Sequence, residues 1–99
     1  MPKLTDAEIA AAVPAGWSHQ GDALIATFET GSFAKGADFV AAIAVAAESA
    51  NHHPDITLTY PRIGILLTTH DAGGVTQRDV DLAGWIGQLA AQRGFGPIQ

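Results

Sequence analysis

The chain predicts an α+β domain: one four-stranded antiparallel sheet with three helices packed on one face, in the order α-β-β-α-β-β-α. Three observations carry that expectation. Two stretches of alternating apolar residues each break at a turn and resume, which reads as two hairpins. A long alanine-rich segment between them repeats its large apolar residues at helical spacing. Ninety-nine residues without a linker, repeat or low-complexity stretch leave room for one core, so residues 1–99 are read as a single domain.

The elements follow in order. Thr5-Asp6-Ala7-Glu8 has the capping-box pattern and predicts a short helix from about Asp6 to Val13, ended by Pro14-Ala15-Gly16. Trp17 to Gln20 and Ala23 to Glu29 read as strands around the turn Gly21-Asp22, with Leu24, Ala26 and Phe28 on one face. Phe33 to Asn51 is the long helix; Phe39, Ile43 and Ala46 or Ala47 form its apolar stripe, which Val40 and Ala44 widen. Asn51 suits a left-handed C-terminal position, and Pro54 forbids continuation. Asp55 to Tyr60 and Ile63 to Thr69 make the second hairpin, Asp71-Ala72-Gly73-Gly74 a turn, and Thr76-Gln77-Arg78-Asp79 starts the last helix with an acid where the helix dipole favours one. Leu82, Ile86, Leu89 and Arg93 form that helix's stripe, and the tail GFGPIQ reads as loose.

Composition removes several function classes. There is no cysteine, so disulfides and thiolate metal sites are excluded, and a cytoplasmic setting follows naturally. No apolar run approaches the ~20 residues of a membrane span, and the acids of MPKLTDAEIAAAV interrupt any signal-peptide core. A net charge of −5 with few cations disfavours phosphate-backbone contacts, hence nucleic acid. A neutral small molecule or a protein partner suits the balance better.

Three histidines concentrate the chemistry: His52 and His53 in NHHPDI, and His70 in LLTTHDAGG. If the second hairpin is centred near Pro61 and Arg62, His53 lies opposite His70 and His52 opposite Asp71. Imidazoles titrate near neutral pH, so the cluster is a candidate acid-base site. Glu48 precedes His52 by about one helical turn and is expected to hydrogen-bond it. His19 has no such partner and reads as a surface strand residue. Three histidines can hold zinc, but adjacent histidines at an extended junction point apart and no i, i+4 pair is present, so no metal is assigned. Trp17 and Trp85 read as core or interface residues rather than ligand stackers.

The spacing Glu48, three residues, His52-His53-Pro54, five residues, Tyr60, nine residues, His70, eight residues, Asp79 resembles the pterin-4a-carbinolamine dehydratases, as do the runs NHHPDI and TTHDAGGVTQRDVDLA. The resemblance covers nearly the whole chain. It implies loss of water from 4a-hydroxytetrahydropterin to give quinonoid dihydropterin, which recycles the cofactor of aromatic amino acid hydroxylases, without a metal or organic cofactor. It implies catalytic places for His52, His53 and His70, supported by Glu48 and Asp79, and pterin contacts from His52 to Pro54 and from Thr69 through His70 and Asp71 to Ala72. Ile56 stands where many members have an aromatic residue. The same family fold also serves as a protein-binding or assembly-factor module, which is the alternative. Open sheet edges that need covering and the alanine-rich helix, together with the resemblance, imply a homodimer or homotetramer.

Overall fold

The computed structural model describes residues 2–98. Helix α1 is Asp6–Ala12, strand β1 Ser18–Gln20, β2 Ala23–Glu29, helix α2 Phe33–Ala50, β3 Asp55–Leu58 and β4 Arg62–Leu67; a 3-10 turn, His70–Ala72, leads to helix α3, Gln77–Gln92. This is the predicted order, with some strand ends one or two residues shorter. The strands lie in the order β1-β2-β4-β3, and every neighbouring pair is antiparallel.

The alternation in the strands decides which face is covered. Leu24, Ala26 and Phe28 of β2 and Ile63, Ile65 and Leu67 of β4 are buried on one side, against Phe39, Ile43 and Ala46 of α2, Leu82, Ile86 and Ala90 of α3, and Ile9 of α1. Phe28 meets Phe39 edge to face with ring centroids 6.0 Å apart, a preferred aromatic geometry. The α2 stripe holds at Phe39, Ile43, Ala46 and Ala47, but Ala44 is exposed. Gly36 joins the buried side in its place, because Leu58 packs so close that a Cβ there would fall 2.6 Å from its Cδ1. Trp17 is in the core, whereas Trp85 is 41% exposed. No helix among the described residues is long and apolar enough to cross a membrane.

The helix ends are built as the sequence suggests. Thr5 and Glu8 close a reciprocal capping box on α1. The Thr5 backbone N–H, then its hydroxyl, hold the Glu8 carboxyl below its usual value. That contribution is present above the ordinary Glu range and fades as acid titrates Glu8. At the other end of α2, Asn51 adopts φ 50°, ψ 44°. Its N–H bonds the Glu48 carbonyl and the next N–H, of His52, bonds that of Ala47, which is a Schellman closure.

Two expectations need correction. Leu58 pairs with Ile63, whereas a hairpin centred on Pro61 and Arg62 would put it beside Ile65. Thr59 and Arg62 exchange backbone hydrogen bonds around a two-residue loop of Tyr60 and Pro61 joined by a cis peptide. The hairpin is thus centred between Tyr60 and Pro61, one residue earlier than expected, and the register moves by two. His53 therefore does not face His70, nor His52 Asp71; all four lie outside the ladder. The tail is not loose either. β1 covers only the Ala23–Ile25 part of β2, and the tail occupies the rest of that edge. Glu29 N–H donates to Gly96 carbonyl and Ile98 N–H to Thr27 carbonyl, while the Phe95 ring stacks edgewise on Phe39 at 5.3 Å.

Phe95→Ala should therefore lower the stability by about 1–3 kcal/mol, within the range for truncating a partly buried aromatic. A urea unfolding midpoint unchanged from the parent chain would mean that the tail contributes nothing.

Candidate functional site

The end of α2 and the start of α3 come together at one end of the sheet. The Schellman turn at Asn51 carries the chain off α2 so that His52 is turned inward, 7% exposed, and His53 outward. On the other side, β4 runs out at Leu67 into Thr68 and Thr69, and the 3-10 turn carries His70 at the surface. Gly73, at φ 76°, lets the turn reverse so that three successive N–H groups, of Ala72, Gly73 and Gly74, donate to the Thr69 carbonyl. A side chain at that φ would be strained. Thr76 then caps α3.

Asp79 sits beneath this junction and is fully buried. One carboxylate oxygen, Oδ2, accepts the Thr76 backbone N–H at 2.9 Å and the Thr69 hydroxyl at 2.7 Å. The other, Oδ1, takes His52 Nε2 at 2.5 Å. An ionised carboxylate only accepts, so the proton in that last bond belongs to the imidazole. In neutral His52 the second nitrogen, Nδ1, is then an acceptor. Nδ1 makes no hydrogen bond within the described residues, and the only buried side-chain nitrogen or oxygen without a partner among them is Trp17 Nε1. The Nδ1 lone pair therefore opens to the cavity that His52 lines.

That cavity has a volume of about 230 Å³ and is lined by Asn51, His52, His53, Thr68, Thr69, His70, Asp71 and Arg78. The structure thus gathers the three histidines, although by a different route from the one expected. Arg78 ties the two sides together, its guanidinium donating to the Asn51 carbonyl at 2.6 Å. Of the sequence-derived contact residues, Pro54 and Ala72 do not line this cavity. Pro54 borders the adjacent groove of about 250 Å³, with Ile43, Ala44, Ala47, Glu48, His53 and Ile56. Thr69 lines the cavity, but its N–H, carbonyl and hydroxyl are all engaged within the chain. A larger space of about 410 Å³ lies beside Ala34, Lys35, Asp38, Arg93 and Phe95; it holds no histidine, so size does not locate the site.

The carboxylate pairing differs from expectation. Glu48 bonds His53, not His52, because the helix stops at Ala50 and His52 no longer continues the Glu48 face. Both partners are open to solvent, with His53 60% and Glu48 75% exposed. His70 has no hydrogen-bond partner for its ring among the described residues. No group of three or more His, Cys, Asp or Glu side chains among them is arranged to hold a metal ion. Asn51, Thr68 and Arg78 also line the cavity, and the sequence pattern alone does not mark them as site residues. The T-x-x-D pattern at Thr76 to Asp79 marks the start of α3, as expected, but nothing local to it points to His52.

Comparison with known proteins shows which family the sequence and the fold resemble. The family model described as pterin 4 alpha carbinolamine dehydratase matches residues 2–89. A provisionally named pterin-4-alpha-carbinolamine dehydratase of Natronomonas pharaonis is 47% identical over 88 residues, covering 89% of this chain and 96% of that one. One of Thermomicrobium roseum is 47% identical over 93 residues, covering 92% and 100%. Among solved structures, a transcriptional coactivator/pterin dehydratase from Brucella melitensis superposes with a TM-score of 0.83 at 30% identity, over 89% of this chain and 98% of that one. A pterin dehydratase-like protein identified as a RuBisCO assembly factor in the alpha-carboxysome gives 0.65 at 26% identity, over 76% and 89%.

The two carboxylates should separate in a stability measurement. Asp79→Ala leaves His52, Thr69 and the Thr76 N–H unpaired in a dry place and should cost about 2–4 kcal/mol. Glu48→Ala removes an exposed pair and should stay within about 0.5 kcal/mol of the parent. Equal losses in denaturant titrations of the two variants would contradict this assignment.

Proposed function

The chain belongs to the pterin-4a-carbinolamine dehydratase family, and from that premise we propose that it dehydrates 4a-hydroxytetrahydropterin to quinonoid dihydropterin. The observation that carries this reading is the His52–Asp79 pair, which holds a proton on Nε2 and leaves Nδ1 as an acceptor in a small polar cavity shared with His53 and His70. The reaction removes the proton from N5 and the hydroxyl from C4a. The N5–H electron pair forms the N5=C4a double bond, and the hydroxyl leaves as water once it is protonated. His52 Nδ1 is suited to take the N5 proton, and His70, in its protonated form, to give one to the hydroxyl. His53, steadied by Glu48, holds the flat ring. Positioned acid-base groups of this kind supply roughly 10²–10⁴-fold, which suffices for a step that proceeds slowly unaided. No step requires a metal or an organic cofactor. Product would return to aromatic amino acid hydroxylases in the cytoplasm, the setting that a cysteine-free chain suits.

A protein-binding role is the second reading. It draws on the assembly-factor relative and on Phe33 and Val45, 54% and 68% exposed on α2. Val45 with its exposed neighbour Ala44 likewise favours self-association into a dimer or tetramer, and the two readings are compatible.

Stopped-flow decay of the 4a-carbinolamine, with and without protein, tests the activity. Acceleration should persist in excess chelator. His52→Ala and His70→Ala should each lower kcat by about 10-fold or more, while His53→Ala should mainly raise KM and Glu48→Gln do so more mildly. The double variant of His52 and His70 should lose less than the product of the single losses, as groups acting in one step do. Full kcat and KM in both single variants would remove the site assignment and leave the binding role. On assembly, sedimentation equilibrium at micromolar concentration should give a mass of two or four times 10.2 kDa; a 10.2 kDa species alone would exclude it.

A further inference from the structure

We infer that Thr76, through Thr69 and Asp79, is a positioning residue for His52, so that the N-cap of α3 and the proton-holding state of the imidazole form one hydrogen-bonded unit. The inference rests on the reading of His52 as the acceptor in the dehydration and extends it to residues outside the cavity's chemistry. Thr76 and Asp79 are fully buried, and Thr69 is 3% exposed. Their donors and acceptors can be assigned by elimination. Asp79 Oδ2, 2.7 Å from the Thr69 hydroxyl, only accepts, so Thr69 spends its one proton there. Thr69 and Thr76 hydroxyl oxygens are 2.9 Å apart, and Thr69 has no second proton, so Thr76 is the donor. Thr76 Oγ1 in turn accepts the Arg78 backbone N–H at 3.3 Å. The direction is thus set along the whole line: Arg78 N–H to Thr76, Thr76 to Thr69, Thr69 to Asp79, and His52 Nε2–H to the far oxygen of the same carboxylate.

An ordinary capping box needs only the Thr76 oxygen and the Asp79 carboxylate. The Thr76 hydroxyl proton is not part of that requirement, and neither is Thr69. Both serve to orient a carboxylate and stabilise its charge, and the remaining oxygen of that carboxylate bonds only His52 among the described residues. Chains of hydrogen bonds polarise one another in a low-dielectric interior, and partners behind a ligating or acting histidine fix its tautomer and ring orientation. Thr76 touches no cavity wall and is not a catalytic residue; it acts through Thr69 and Asp79.

The test reads the ring nitrogens of His52 by 15N NMR on the whole chain at neutral pH without substrate, assigned by their loss in His52→Ala. The parent should show the Nε2–H tautomer. Thr76→Val and Thr69→Val should both move the Nε2 and Nδ1 shifts toward a mixture of tautomers, and Thr76→Ser should restore the parent pattern. Thr69→Val matters most, because it leaves the Thr76 cap oxygen in place and so separates the relay from helix capping. In the dehydratase assay the same two variants should lower kcat by about 3- to 10-fold, the effect of one buried hydrogen bond. An unchanged His52 spectrum in Thr69→Val overturns the relay, whether or not Thr76→Val folds. A protein with no dehydratase activity that still shows the tautomer shift would keep the relay and overturn only its catalytic use.

Discussion

A carboxylate with no access to water must find hydrogen-bond donors inside the protein, and Asp79 obtains them from three parts of the chain. His52 comes from the exit of α2, Thr69 from the end of β4 and the Thr76 N–H from the start of α3. Leaving any of these unmade would strand charge in a low-dielectric interior, at a cost of about 1–3 kcal/mol for each orphaned group. The carboxylate therefore fixes how the two longest helices meet the sheet at this end. The cavity above it inherits its shape from that constraint rather than from apolar packing, which is concentrated around Phe39 and the Phe28 and Phe95 rings.

The two histidines that are neighbours in sequence show how local geometry divides roles. The left-handed Asn51 turns the chain so that His52 goes in and His53 stays out. His52 then meets a carboxylate that is dry and held by two other donors. His53 meets Glu48 in solvent, where an ion pair is worth at most about 1 kcal/mol. The first pairing can set a tautomer firmly; the second can only bias an orientation. The proposed division into a proton acceptor and a ring holder rests on this difference in surroundings, since the side chains themselves are identical.

Much of the fold was legible because its signals are local. The alternation in Leu24, Ala26 and Phe28, the helical spacing of Phe39 and Ile43, and the left-handed aptitude of Asn51 each act within a few residues, and each appears as read. What failed depended on partners distant in sequence or on one backbone alternative. The hairpin register is one such case: Leu58 pairs with Ile63 rather than Ile65, a choice made by contacts across the sheet rather than by the residues of the turn. The tail's glycines and proline lowered its apparent order, whereas its hydrogen bonds come from Thr27 and Glu29, far earlier in the chain. Helical spacing pairs Glu48 with His52 only if the helix runs on past Ala50, where it stops. The bond between His52 and Asp79 spans 27 positions and has no local trace; only the resemblance to a known family brought Asp79 into the site.

This division also decides which residues speak for catalysis. Asp79 and His52 satisfy one another, and a domain that only bound other proteins would still need them, or an apolar replacement, to close α3 against the sheet. What points to chemistry in this pair is the Nδ1 acceptor that it leaves open to the cavity, which closing α3 does not require. His70 is different. It sits exposed on a 3-10 turn, bonds nothing through its ring among the described residues, and caps no helix. Its removal would cost the fold little, within about 0.5 kcal/mol for an exposed side chain of this kind. Stability gives no reason for an imidazole at that point, whereas a substrate held between His52 and a second proton donor does. The exposed histidine, the one the fold can spare, therefore adds to the argument that the buried pair begins, as the second titratable ring lining the same cavity.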